Sequence, residues 1–183
     1  MALHIAAAVA PSWVRNRLTG LTGTRWIGVD GFGASGKSTL AWAIAEVLPG
    51  AAVISIDDFA RAGIPDWNRE LFTIEVVEPL RCGRTALYRH WNLFADKPLE
   101  WVEVSAGVPV IVEGVSAIDE RLRVAWDVTL WVEAPEEVRR RRIMARDDPL
   151  LLDRWQLDWW PSEQAYARSQ RPQERVDAIV AAS

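Results

Sequence analysis

Trp26-Ile27-Gly28-Val29-Asp30-Gly31-Phe32-Gly33-Ala34-Ser35-Gly36-Lys37-Ser38-Thr39-Leu40-Ala41 decides the fold of this 183-residue chain. An apolar run leads into a glycine-rich turn of the pattern G-x-x-x-x-G-K-S, and a helix-forming run follows. Glycines there let the backbone wrap closely enough for successive N–H groups to point at one anion. The following helix adds positive potential at its first turn. Gly31, Gly33, Ala34, Ser35 and Gly36, with Lys37, Ser38 and Thr39, therefore form a candidate cradle for a nucleotide's phosphates. Lys37 would reach the β- and γ-phosphates, and the Ser38 hydroxyl would take one position on Mg²⁺.

The rest of the chain supplies a sheet for that turn. Residues 25–30, 51–56, 108–112, 125–132 and 176–180 read as five strands, and helical patterns separate most of them. The expectation is an α/β fold: a five-stranded parallel sheet, helices on both faces and the phosphate turn on a central strand. Three of the helical readings carry punctuation. A short leading helix has Ser12 as its candidate cap; Pro79 should bend or end the helix over Arg69 to Leu80; Pro161 should interrupt one over 151–169. Between Thr85 and Ala106 the pattern changes to two extended pieces, a small hairpin. Carboxylates close two of the buried strands, Asp57 and Asp58 after the second and Glu113 after the third. Open α/β sheets bind ligands along that edge.

Composition narrows the function. The net charge is −4, which argues against a general nucleic-acid binder, since that role needs a basic face. The chain has one cysteine, Cys82, so no internal disulfide can form and a reducing cytoplasm is the simplest compartment. Residues 1–10 are apolar but have no basic region ahead of them, so they do not read as a signal peptide. No run reaches the length of a membrane span. There are 11 tryptophans; most must serve packing, and only Trp67 and Trp91 are assigned to the neighbourhood of a site. A helix opening at Pro135 carries Arg139, Arg142 and Arg146 on one face, able to clamp a polyanion, while Arg140 and Arg141 point elsewhere.

These residues resemble the uridine kinase-like branch of the P-loop nucleoside kinases. The likeness rests on Gly28–Ala41, on Ile54-Ser-Ile-Asp-Asp-Phe59, on Val110-Ile-Val-Glu-Gly-Val-Ser-Ala117, and on Arg139-x-x-Arg142-x-x-x-Arg146-Asp147. With the Pro65-Asp66 turn they span nearly the whole chain. The resemblance implies a P-loop NTPase fold in a single domain, 1–183, with a helical arginine lid at about 135–160 and an acceptor-side hairpin at about 85–106. It implies ATP and Mg²⁺ as cofactors and a small hydroxylated molecule as acceptor, with no nucleic-acid or membrane partner. By position, Asp57 would act on the acceptor hydroxyl, Glu113 would assist the magnesium, and Arg139, Arg142 and Arg146 would close over the triphosphate. Asp66 matches a ribose-binding Asp and Tyr88 a nucleobase-side Tyr. Asp58 stays open as the alternative base, and Arg89 as either an anion contact or a surface residue. The chain departs from the family at Asp57-Asp58-Phe59-Ala60, where a positioning aromatic is absent, and at Arg89–Leu93, which lacks the family's His and Arg. The acceptor expected is a nucleoside, uridine or cytidine, with a sugar, a pantothenate-like acid or an antibiotic hydroxyl as alternatives, and a regulatory nucleotide-binding module and a non-catalytic binder as other readings. A guanine-reading Asn-Lys-x-Asp is absent, which weighs against a switch GTPase.

Overall fold

A computed structural model describes residues 2–61, 64, 66–93, 95–146 and 155–181, with the side chains of Arg146 and Trp155 excepted. Pro65, Asp147 and the middle of the expected lid lie outside these residues.

The chain begins with β1 (Leu3–Ala6) and α1 (Ala10–Arg17), followed by β2 (Arg25–Gly31) and α2 (Lys37–Glu46). Next come β3 (Ala52–Ser55), and α3 (Arg69–Phe72) joined to α4 (Glu78–Arg81) by a π turn at Thr73–Val77. β4 (Ala86–Asn92) pairs with β5 (Lys97–Val104) as an antiparallel hairpin, with an irregularity between Arg89 and Trp91. β6 (Pro109–Glu113), β7 (Val128–Glu133) and α5 (Glu136–Arg146) follow. A π turn at Trp155–Trp159 then leads into α6 (Trp160–Gln170), and α7 (Pro172–Arg175) and β8 (Ala178–Ala181) close the described chain.

The main sheet runs β1-β8-β7-β2-β6-β3 and all its pairs are parallel. It has six strands rather than the expected five. The sixth is β1, cut from the apolar run at the start of the chain, and it lies on the edge beside β8. Its side chains are mostly exposed, and His4 interrupts the apolar run there. β2, which feeds the phosphate turn, lies between β7 and β6 at the centre.

Strand alternation explains the two cores. Ile27 pairs with Ile111 on one side and Val128 on the other, and these three join Leu40, Ala41 and Ile44 of α2 and Val14 of α1 on one face. Val110 and Val112 point the opposite way and meet Phe59, Phe72, Val76 and Tyr88. A third cluster gathers Ile118, Trp131, Tyr166 and Val176. Side chains with period two, covered on both faces, require helices or a hairpin on each side.

The prolines behave differently from the sequence expectation. Pro79 lies inside a helical run that continues to Arg81, and Pro161 lies in the first turn of α6, so neither ends its helix. Each follows a five-residue π turn by one residue. A proline lacks an N–H and its ring crowds the carbonyl four residues back; a widened turn just before it accommodates both. Ser12 likewise falls inside α1, bonding back to the Val9 carbonyl, and does not cap it. Among the described residues no helix is long and apolar enough to cross a membrane.

Ile111 is fully buried on the central pair β2–β6. Ile111→Ala should lower stability by about 2–5 kcal/mol. In urea the midpoint should fall with the slope unchanged.

Candidate active site

Gly31 has φ +148° and a Cβ there would overlap the Val132 carbonyl oxygen, so the strand can turn into the loop only with glycine. Ala34 and Gly36 also have positive φ. Alternating left- and right-handed residues turn the backbone N–H groups inward, which makes an anion nest at the start of α2. Lys37 is buried, and its Nζ donates to the Phe32 carbonyl at 2.8 Å. Ser38 Oγ donates to Glu113 Oε1 at 3.1 Å, joining the start of α2 to the end of β6. Gly114 follows at φ +145°, where any Cβ would strike Ile56. Burial pushes the Glu113 carboxyl above its usual range, and Asp57 pushes the same way, while Lys37 and the Ser38 hydroxyl pull it down.

Beneath the loop lies Asp30, which sequence reasoning left without a role. It is completely buried. Its Oδ1 accepts from Gly31 N at 2.6 Å and Ser116 N at 3.0 Å. Its Oδ2 accepts from Ile118 N at 3.2 Å and the Tyr166 hydroxyl at 2.7 Å. An acid inside an otherwise apolar strand was the visible signal. Burial raises its pKa from 3.8 to about 6 against the pull of these donors and Lys37.

The acids after β3 separate. A 3₁₀ turn over Ile56–Phe59 leaves Asp57 exposed on the cavity and Asp58 buried. Asp58 Oδ2 lies 2.8 Å from His90 Nδ1, and its Oδ1 accepts from Trp91 N at 3.0 Å. Arg61 lies over the Trp91 ring at 3.7 Å and donates to the Asp58 and Ala60 carbonyls. Trp67 Nε1 donates to Ser116 Oγ at 2.9 Å. Asp66 pairs with Arg69 at 2.6 Å, and Arg69 reaches on to Asp119 at 2.8 Å.

A cavity of about 1380 Å³ spans these parts. The loop from Gly33 to Thr39 contributes one wall, Glu113 and Asp57 the middle, and Arg61, Asp66 and Trp67 the far end. Tyr88 and Arg89 are not among its lining residues. Tyr88 is wholly buried, tilted against Phe59 at 5.2 Å, with burial and Asp58 raising its pKa. Arg89 donates to the Leu99 carbonyl across the hairpin and lies over Trp101 at 5.2 Å.

The arginines of α5 also separate. Arg142 lines the cavity and donates to the Ala34 and Ser35 carbonyls at 3.2 and 3.3 Å. Arg139 is buried between the rings of Phe32 and Trp160, at 4.6 and 4.7 Å. Arg140 is exposed and pairs with Glu136. Arg146 has its side chain outside the described residues. Glu163 is a second residue without a role in the sequence reading; buried, it accepts from Gly33 N at 3.1 Å. Its spacing of three from Tyr166 sets both on one helical face, the only sequence cue for it.

Among the described residues no three His, Cys, Asp or Glu side chains gather as a metal site. The hydroxyl of Ser38 and the carboxylate of Glu113 are hard oxygen donors beside the phosphate nest. That pair fits Mg²⁺, which commonly takes one or two protein oxygens and fills its shell with phosphate and water.

No family model matches the chain. A uridine kinase of Borrelia turicatae is 27% identical, with 66% of each chain covered. Those of Borreliella burgdorferi and Borrelia hermsii are 27% and 26% identical over the same share. The chain is a distant relative of the uridine kinases. The match spans just under two thirds, 66%, of the length of these uridine kinases. A solved structure from Bacillus stearothermophilus, described as a possible uridine kinase, superposes with a TM-score of 0.71 at 17% identity, covering 93% of this chain and 96% of that one. A second, from Silicibacter sp. TM1040 and described provisionally as a fructose transport system kinase, gives 0.56 at 22%, covering 96% and 98%. The chain thus shares its fold with these two solved structures.

Asp30 provides a test of the site's electrostatics. Its folded-state pKa lies above the unfolded value, so between about pH 4 and 6 the native chain holds more protons than the unfolded one. Stability contributed by this group is present below pH 4 and is lost as pH rises through 6, by about 3 kcal/mol in all. The stability difference between the natural protein and Asp30→Asn, from urea unfolding at several pH values, should fall by that amount across the window. Parallel curves would mean an ordinary, solvated carboxylate.

Proposed function

We propose that the protein is an ATP-dependent small-molecule kinase, moving the γ-phosphoryl group to a hydroxyl of a nucleoside such as uridine or cytidine. The observation that carries this reading is the convergence of Lys37, the Ser38–Glu113 pair, Asp57 and Arg142 on one cavity. At about 1380 Å³ it exceeds the volume one drug-sized ligand needs and has room for a donor and an acceptor together. The distant likeness to uridine kinases supports the same class.

Phosphoryl transfer depends mainly on alignment and on neutralising spread-out charge. The N–H groups of the loop from Gly33 to Thr39 and the Lys37 ammonium hold the donor's phosphates. Ser38 and Glu113 would hold Mg²⁺, which when bound neutralises charge on the β- and γ-phosphate oxygens. Asp57, exposed on the cavity, orients the acceptor hydroxyl. As the hydroxyl oxygen bonds to the γ-phosphorus, the bond from that phosphorus to the β–γ bridging oxygen breaks; ADP departs and Asp57 takes the hydroxyl proton. Asp58 is the weaker candidate base, since His90 and Trp91 occupy its two oxygens. Arg142, joined to the loop through two carbonyls, is proposed to cover charge on the transferring group, with Arg146 closing beside it. Asp66 and Trp67 furnish an acceptor end suited to a polyhydroxylated ring.

One observation favours a second acceptor class. Tyr88 and Arg89 do not line the cavity, whereas Arg61 does. A guanidinium there suits a sugar or hydroxy acid as well as a nucleoside.

An ADP-release screen with Mg-ATP against nucleosides, sugars and hydroxy acids tests the reading. Turnover on uridine or cytidine supports the nucleoside; turnover on another compound alone replaces the acceptor; silence throughout removes the kinase. With an acceptor in hand, Lys37→Ala should lower kcat by at least about a hundredfold. Asp57→Asn should lower kcat by about 10²–10⁴ with ATP affinity kept, and a larger loss in Asp58→Asn would move the base by one residue. Arg142→Ala should lower kcat by about 10²–10³. Arg140→Ala should change it less than about threefold.

A further inference from the structure

The amide of Gly33 in the phosphate loop already has a negative partner. Gly33 N–H points to Glu163 Oε2 at 3.1 Å, and both residues line the cavity. A carboxylate there competes with a phosphate for the same donor, and Lys37 draws on both. Beside it, Arg139 is 3% exposed, and its Nε and one terminal nitrogen, Nη1, have no hydrogen-bond partner among the described residues. Nη1 lies 3.9 Å from Glu163 Oε2, short of a hydrogen bond. A buried guanidinium with unmade bonds is costly, and two aromatic rings fix its position. The carboxylate is the partner able to move.

We propose that Glu163 is a positioning residue that exchanges partners: it holds Gly33 N–H while the loop is empty and passes to Arg139 when a nucleotide's phosphates take the loop. α5 and α6 already meet where Arg139 lies against Trp160 and approaches Glu163, and the exchange turns that approach into a hydrogen-bonded tie when nucleotide is present, which steadies Arg142 of the same helix α5 on the loop. Arg139 then acts on nucleotide through Glu163 rather than by touching phosphate. This inference rests on the nucleotide-binding part of the proposed function.

Calorimetric titration with Mg-ADP tests it on the natural protein, Glu163→Gln, Glu163→Ala, Arg139→Met and the double variant Glu163→Ala/Arg139→Met. Removing the competing charge should tighten Mg-ADP binding about five- to tenfold in both Glu163 variants, while kcat falls because the hydrogen-bonded tie between the two helices cannot form. Arg139→Met alone should weaken binding about fivefold, since the displaced carboxylate loses its destination. In the Glu163→Ala background the same substitution should change affinity less than about twofold. Equal or weaker binding in Glu163→Gln, which keeps the shape and an acceptor for Gly33, would overturn the exchange even if Glu163→Ala fails to fold. An Arg139→Met loss of the same size in both backgrounds would also overturn it and give Arg139 a direct phosphate contact. A natural protein that binds Mg-ADP with unshifted variants sinks this inference alone; one that binds none removes the proposed function and the exchange with it.

Discussion

The buried carboxylate of Asp30 is the interaction on which the phosphate loop depends. Three segments distant in the chain meet on its two oxygens: the turn out of β2 at Gly31, the loop after β6 at Ser116 and Ile118, and α6 through Tyr166. Without an acceptor there, three backbone N–H groups and a phenol would be buried unpaired, each at a cost of about 1–3 kcal/mol. The carboxylate itself is costly to bury, which is why its proton is held more tightly than in water. The result is a loop whose floor is fixed from three directions before any ligand arrives. Such preorganisation is what charge stabilisation during phosphoryl transfer requires.

A second constraint acts at the other end of the cavity. The 3₁₀ turn after β3 sends two neighbouring acids to opposite sides, and the inner one, Asp58, becomes the anchor for the hairpin through His90 and the Trp91 amide. Arg61 closes the arrangement by stacking on Trp91 while donating to carbonyls of the same turn. Turn and hairpin are therefore one mechanical unit. A shift of the hairpin would be transmitted through the Asp58 backbone to its neighbour Asp57, on the cavity.

The central architecture was legible because its signals are local. G-x-x-x-x-G-K-S names its own turn chemistry, and strands buried on both faces read as short apolar runs. β1 was not legible: it lies on an edge, mostly exposed, and has the composition of a leading segment. The two prolines misled for a different reason. Each follows a π turn, and a widened turn has no sequence pattern comparable to the 3.6-residue period. Asp30 and Glu163 escaped because their roles arise from long-range contacts, 136 residues apart for Asp30 and Tyr166 and 130 for Gly33 and Glu163. Spacing could set Arg139 and Arg142 on one helical face but could not tell that one would be buried between rings and the other would line the cavity.

That separation bears on how the acceptor would be read. Under the kinase reading, Tyr88, the hairpin side chain that matches the family's nucleobase-side Tyr, is spent on packing against Phe59, and its neighbour His90 is engaged with Asp58. Polar groups on the cavity at this end are Asp57, Arg61 and Asp66 from the segment between β3 and α3, with Trp67 beside them, and Asp96 from the turn of the hairpin. Asp66 is exposed, but it is held by Arg69, which the buried Asp119 holds in turn, so a chain of ion pairs orients its carboxylate. Discrimination among hydroxylated acceptors then falls on that segment and on the hairpin turn at Asp96. The segment joins the Asp57 turn to α3, and its Arg61 stacks on Trp91 of the hairpin, so recognition of the acceptor and placement of its hydroxyl are mechanically linked.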